Sequence, residues 1–356
     1  MGGGLLGIAD YYDDGVYYAA ATGLVHGRLL YQDFLLLHPP GMTLLLTPFA
    51  AAAQLIGDSY GFAVARVAWM LLGAANAVLI WKILRPIGPV AALFGGLGYA
   101  VLYPAVYVEK STLLEGPATT ALLIAMVLLQ PVIQASSMPR SRAFVAGALL
   151  GLAITIKIWG VLTLLIVLGW LLLVRRLRVA LQVMIASAAT VTIICLPFFV
   201  AAPTAMWNQI VRDQFFRARR VGITILDRLQ GWAGLDIVDR SLPAAITVTA
   251  VAALLCAAAL AWRYREAQLA VLLMIVQGIF LLITPVWFPQ FPALTVAAVA
   301  ITVGAAISRL TALARAGPMR IAVIGAFAGA LLVYASGYAM VTFNRPFPTT
   351  SRRSRP

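Results

Sequence analysis

Apolar runs about as long as a bilayer is thick recur along the chain, each closed by basic residues, proline or glycine. A helix needs about 20 such residues to cross a hydrocarbon core of roughly 30 Å. The runs fall at 63–81, 88–107, 116–134, 143–174, 179–202, 241–262, 268–288, 292–308 and 321–342. A soluble chain of 356 residues needs a polar skin to cover its core. Here 62% of residues are hydrophobic and 11% are charged, against about 25% charged in soluble domains. Mean hydropathy is +0.95. The expected fold class is therefore an all-α polytopic membrane protein with roughly ten transmembrane helices. A soluble secreted enzyme, a nucleic-acid-binding domain and a disordered chain are excluded as leading readings.

Charge gives the orientation. The net charge of +14 comes almost wholly from arginine, since Lys82, Lys110 and Lys157 are the only lysines. The 143–174 run is too long for one straight span and is basic at both ends, with Arg140 and Arg142 before it and Arg175, Arg176 and Arg178 after it. Two short helices forming a hairpin are expected there. The apolar run 41–57 is read as a helix lying in the outer interface. With those choices, basic residues at 82, 85, 140, 142, 175, 176, 178, 263, 265, 309, 315 and 320 all fall on one side, the expected cytoplasmic side. The acidic residues go the other way, with only Glu266 inside. The positive-inside tendency concerns lysine and arginine, so it does not account for that asymmetry.

The chain is read as one transmembrane domain over 1–342, followed by a disordered basic tail at 343–356. Its expected outer loops are 10–40, 108–115 and 203–240. No internal repeat is evident, which weakens inverted-repeat transporter readings. Cys195 and Cys256 each lie in an apolar stretch, so neither a disulfide nor a thiolate metal site is expected. Met1 to Ala9 is too short to span and lacks the flanks of a signal peptide. Leu6 stands where a myristoylation signal needs Ser or Thr. A membrane chain that opens straight into an acidic segment is expected to be missing its first helix.

Few residues can carry chemistry. On a helix Asp10, Asp13 and Asp14 would share one face, where crowded carboxylates suit a general base or a cation site. An Asp-rich solvated loop explains them as well. His38 precedes Pro39-Pro40, a rigid stop that would hold it at the outer mouth of the bundle. A plain proline turn is the simpler explanation of His38. Glu109 and Glu115 flank a short connection, and Glu115 can simply favour a helix start. Lys157 follows an apolar stretch that places it about 22 Å from the inner end of its helix, near the outer boundary. It either snorkels to headgroups or serves as a cation for phosphate. Arg212, Arg217, Arg219 and Arg220 are interleaved with Phe215 and Phe216, which suits phosphate or anionic headgroups.

Taken in order, these residues resemble the GT-C superfamily of membrane glycosyltransferases. The order is an acidic pair, Pro-Pro, an Arg near a span start, a carboxylate before Pro, and Gly-Leu-Ala-x-x-x-Lys. The nearest likeness is to lipid A aminoarabinose transferases and protein O-mannosyltransferases, with motif support over roughly residues 10–200. The resemblance implies that Asp13 is the catalytic carboxylate, with Asp14 its partner. Glu115 corresponds to the family's acid before Pro, and Lys157 to its hairpin lysine. Leu37 and His38 stand where the family has a charged pair, so His38 would replace a lysine at the phosphate. No organic cofactor is implied, and Leu37 leaves a divalent cation without the usual carboxylate. Gln290 and Phe291 occupy a position where relatives often have His-Tyr, and no role is carried over there.

The resulting expectation is an integral membrane glycosyltransferase with an active site built from outer loops. It would move a sugar from a polyprenyl-phosphate donor to an acceptor hydroxyl on a glycan, lipid or protein, with inversion. The catalytic residues would be Asp13, Asp14 and Glu115, and the donor phosphate would meet His38, Lys157, Arg212, Arg217, Arg219 and Arg220. The expected place is the plasma membrane, with chemistry on the extracytoplasmic face and no role for nucleic acid. The rival is a transporter or flippase of lipid-linked sugars; a silent scaffold fits the ordered motifs poorly. Transporters concentrate ionisable groups near the midplane, whereas these carboxylates crowd one side.

Overall fold

The computed structural model describes residues 12–134, 138–216, 223–235, 243–314 and 317–344. Apart from one isolated bridge between Leu30 and Phe34, the described residues form helices, turns and irregular segments. α1 (Tyr12–Val25) leads through an irregular segment to α2 (Gly41–Ile56) and the long α3 (Asp58–Leu84). α4 (Pro89–Val101) and α5 (Tyr103–Glu109) form one unit bent by 57°. α6 (Glu115–Leu129) and the short α7 (Pro131–Gln134) precede α8 (Arg140–Ile156), α9 (Gly160–Leu173) and α10 (Leu177–Ala201). The next connection holds α11 (Pro203–Trp207), a π-helical turn (Asn208–Arg212), α12 (Asp213–Phe215) and α13 (Ile225–Trp232). α14 (Ala244–Ala261), α15 (Arg265–Ile283), α16 (Ala293–Leu313) and α17 (Pro318–Asn344) complete the order.

Among the described residues, α3, α10, α14, α15, α16 and α17 are each long and apolar enough to cross a bilayer, and the α4–α5 unit adds a seventh. α6, α8 and α9 are shorter, at 15, 17 and 14 residues, and run between the same two ends. The chain is an all-α polytopic membrane protein, in line with the roughly ten crossings counted from its apolar runs. Helices dominate because lipid offers no partner to an unpaired N–H or C=O. They break at Gly57 and Gly88, with φ of +91° and +146°, and at Leu102, extended two residues before Pro104, which has no N–H to continue the helix.

Small residues set the helix pairing. A side chain at Gly147 would collide with the Val183 carbonyl, and one at Gly151 would come within 2.6 Å of the Ser187 carbonyl. Ser187 Oγ donates to the Gly147 carbonyl at 2.7 Å. These contacts advance together along both helices, so α8 and α10 run parallel and α9 returns between them. The expected hairpin at 143–174 is present. Gly160 packs on the backbone of Ala153 and Ile154, where the chain turns back. α16 runs antiparallel to α4, with Gly304 close against Ala91 and Gly95.

The pairing collects Lys82, Arg85, Arg140, Arg142, Arg175, Arg176, Arg178, Arg263, Arg265, Arg309 and Arg320 at one end of the bundle; Arg315 lies outside the described residues. Glu109 departs from expectation. It ends α5 with its carboxylate buried, accepting from Asn76 Nδ2 at 2.7 Å and from the Tyr99 hydroxyl at 2.5 Å. A bent span therefore extends into what the charge pattern had assigned to an outer loop. Of the basic tail, residues 343 and 344 still belong to α17, and 345–356 lie outside the described residues.

Replacing Gly147 by Leu is expected to force α8 from α10 and lower stability by about 1–3 kcal/mol, as overpacking does. Gly325, with open space around it, is the control. Thermal unfolding of the detergent-solubilised protein should show a lower midpoint for Gly147→Leu and little change for Gly325→Leu.

Candidate active site

A cavity of about 540 Å³ opens at the end of the bundle opposite the basic residues. It takes residues from six stretches of chain: Asp13 and Tyr17 on α1, His38 ahead of α2, Glu115 at the start of α6, Lys157 between α8 and α9, Gln214 on α12, and Gln290 ahead of α16. Asp13, His38, Glu115 and Lys157, far apart in sequence, thus face one space.

Lys157 reaches the cavity because the helix stops there. Its backbone is extended (φ −142°, ψ 125°) between α8 and α9. The side chain is buried, and Nζ lies 2.5 Å from Glu115 Oε1. Nζ also sits 4.2 Å from the Trp159 ring centre and 5.0 Å from that of Phe291. The ammonium does not snorkel to the surface; one carboxylate oxygen and two aromatic faces hold it. Glu115 Oε2 is buried without a hydrogen-bond partner.

The acidic pair divides between two faces of α1, in place of the single face expected. Asp13 and Tyr17, one turn apart, line the cavity. Asp14 and Tyr18 face α3, where the Tyr18 ring lies 4.6 Å from Phe62. Asp14 is wholly buried. Its Oδ2 accepts from Arg66 Nη2 at 2.8 Å and Nε at 3.2 Å. Its Oδ1 accepts from the Thr112 backbone N–H at 2.8 Å and also from the Thr112 hydroxyl. Asp14 ties α1 to α3 and to the start of α6, and it leaves Asp13 to the cavity. Asp13 Oδ2 accepts from Gln290 Nε2 at 2.8 Å.

The wall carrying His38 is clamped from outside. Gln209 Oε1 accepts from the Leu36 N–H at 2.8 Å, and Gln214 Nε2 donates to the Leu37 carbonyl at 2.6 Å. The Tyr31 hydroxyl donates to the His38 carbonyl at 2.8 Å. Burial pushes the Tyr31 phenol well above its ordinary value, so it stays a donor. The His38 ring stands edge-on to Tyr17, 5.5 Å between centres. Arg212 is exposed and does not line the cavity. Arg217, Arg219, Arg220 and Asp10 lie outside the described residues. Among the described residues no three His, Cys, Asp or Glu side chains gather as metal ligands.

Beside this cavity lies a second, apolar one of about 520 Å³ between α2, α3, α6 and α8. Phe49, Trp69, Leu72, Pro117, Leu152 and Ile156 are among its walls. Pro117 and Ile156 in its wall are near neighbours in sequence of Glu115 and Lys157, which line the first cavity.

Sequence reasoning missed Gln290, Trp159 and Phe291. The position of Gln290 after Phe288-Pro289 was the one signal that could have marked it. Arg228 falls in the expected outer loop 203–240. It is buried instead and donates to the carbonyls of Leu281 at 3.0 Å and Thr284 at 2.7 Å, fixing α13 to the end of α15.

The helical membrane bundle, with charged groups converging in one end cavity, is that of a membrane glycosyltransferase. The model of Glycosyltransferase family 87 matches residues 36–285, and the chain belongs to that family. Two solved structures of ArnT from Cupriavidus metallidurans share the fold. The one bound to undecaprenyl phosphate has a TM-score of 0.65 at 16% identity, covering 94% of this chain and 71% of that one. The apo structure has a TM-score of 0.62 at 16% identity, covering 93% and 67%. No curated protein sequence matches the chain.

Because Asp14 and Arg66 are both buried, removing one strands the other. Arg66→Met is expected to destabilise by about 3–5 kcal/mol. Adding Asp14→Leu should recover much of that loss, and unfolding midpoints of both singles and the double measure the coupling.

Proposed function

We propose that this glycosyltransferase moves a sugar from a polyprenyl-phosphate donor to an acceptor hydroxyl, with inversion, on the extracytoplasmic face of the plasma membrane. The observation that carries the reading is the meeting of Asp13, His38 and the Glu115–Lys157 pair in one cavity beside an apolar one. A donor of this class needs both environments. Its isoprenoid tail lies in the apolar cavity, and its phosphate sits with Lys157 and His38. The ArnT structure of similar fold, solved with undecaprenyl phosphate, supports that donor class. Gathering of the basic residues at the far end supports the sidedness, since such residues mark cytoplasmic loops.

Asp13 acts as general base. As the acceptor oxygen bonds to the anomeric carbon, its hydroxyl proton passes to the Asp13 carboxylate. The bond between the anomeric carbon and the phosphate oxygen breaks, and polyprenyl phosphate departs with the electron pair. Lys157 and His38 stabilise the charge gathering on that phosphate. Glu115 holds Lys157 in the absence of donor and yields it when the phosphate enters. Asp14 serves by fixing α1. Arg212, Arg217, Arg219 and Arg220 attract the donor headgroup toward the cavity mouth.

The test is transfer by the reconstituted protein from a panel of undecaprenyl-phosphate monosaccharides to glycan, glycolipid and peptide hydroxyls. Asp13→Asn is expected to lower kcat by about 10²–10⁴-fold, the usual worth of a positioned base. Lys157→Met with Glu115→Leu, which leaves no stranded charge, should fold normally and lose about 10²–10³-fold. Transfer that survives Asp13→Asn overturns the catalytic assignment. Movement of sugar lipid across vesicles without transfer overturns the enzyme reading in favour of a flippase.

A further inference from the structure

Gln290 touches the proposed base from a part of the chain that carries no charge. It stands in the connection between α15 and α16, and its Nε2 donates to Asp13 Oδ2 at 2.8 Å. An ionised carboxylate only accepts, so the amide must present its NH₂. The next residue, Phe291, lies 5.0 Å from Lys157 Nζ. One short segment therefore contacts both the group that would take the acceptor's proton and the cation that would meet the phosphate.

That segment is built to be stiff. The N–H groups of Phe291, Ala293 and Leu294 donate to the carbonyls of Phe288, Gln290 and Phe291 at 3.0, 3.2 and 3.0 Å. The Phe291 ring packs 4.4 Å from Trp159 and 5.3 Å from Phe288, centre to centre. Leu281 and Trp287 bury the base of the turn. A donor on such a support holds its partner at a fixed rotation, which is what positioning requires.

We propose that Gln290 is a positioning residue, whose amide fixes the rotation of the Asp13 carboxylate and favours its proton-accepting form. The inference rests on reading Asp13 as the base. A neutral amide suits the task because it stabilises the anion without competing for the proton. The titratable and charged groups facing this space from the elements around it are Tyr17 on α1, His38 ahead of α2, Glu115 on α6 and Lys157 after α8. Behind α1, Asp14 is matched by Arg66. Gln290 contributes a neutral donor to Asp13, whereas the amide of Gln214, which also lines the cavity, donates to the Leu37 carbonyl.

The experiment is the pH dependence of kcat/KM for the donor that supports transfer, in the wild type, Gln290→Leu and the near-isosteric Gln290→Glu. Without the amide the carboxylate holds its proton more tightly, so the acidic limb in Gln290→Leu is expected to move up by about one pH unit. Gln290→Glu places a second carboxylate against the first, and its limb should move further in the same direction. Both variants should recover activity as the pH rises. An unmoved limb, or variants inactive at every pH, overturns the inference. Asp13→Asn in the same assay separates the two ideas. Its full activity would sink the base assignment itself, whereas its inactivity beside unmoved Gln290 limbs would sink only the role of Gln290.

Discussion

Charge in a dry interior must be paired, and the Glu115–Lys157 contact is where this bundle meets that demand at its working end. Lipid cannot satisfy a free peptide group, so the chain leaves its helices only where protein surrounds it. Lys157 occupies such a break, between α8 and α9, and the contact ties that break to the first residue of α6. The same pair lines the polar cavity, and the residues next along the chain, Ile156 and Pro117, line the apolar one. A buried ion pair adds little stability over apolar residues of the same size. Folding alone therefore gives no reason to keep a lysine there, and the polar cavity gives one.

The coarse architecture was legible because it follows from hydropathy and charge. The 143–174 run could be divided without coordinates, since arginines at both ends cannot lie on opposite sides while obeying the positive-inside tendency. What could not be read was the direction of each side chain. Glu109 looked like a loop residue because it follows a span, yet α5 bends and turns its carboxylate onto Asn76 and Tyr99. Arg228 falls in an expected outer loop, but the open carbonyls at the end of α15 draw it inward. Gln290 was marked only by its position after Phe288-Pro289, because a neutral amide gains a role only once its carboxylate partner is known.

The acidic asymmetry of the chain also gains a physical account. Asp14 and Glu115, at the end away from the basic residues, and Glu109, deeper in the bundle, are buried and matched by Arg66, by Lys157, and by Asn76 with Tyr99. Each links two or more elements. They serve as internal fasteners for a region where helices break and backbone needs polar partners. Acids of this kind sit where the irregular structure is, whatever the rule that orients the basic loops.

Consecutive acids on a helix cannot share a task when the helix lies between a cavity and a neighbour. One residue turns the helix by about 100°, so facing Asp13 into the cavity sends Asp14 toward α3. The tyrosines repeat the division one turn later, Tyr17 toward the cavity and Tyr18 onto Phe62. Arg66 and Thr112 then fix which acid goes where, since they occupy both oxygens of Asp14 from the α3 side. The pair that looks redundant in the sequence is thus an anchor beside a cavity-facing acid, and the anchor determines which of the two meets the cavity.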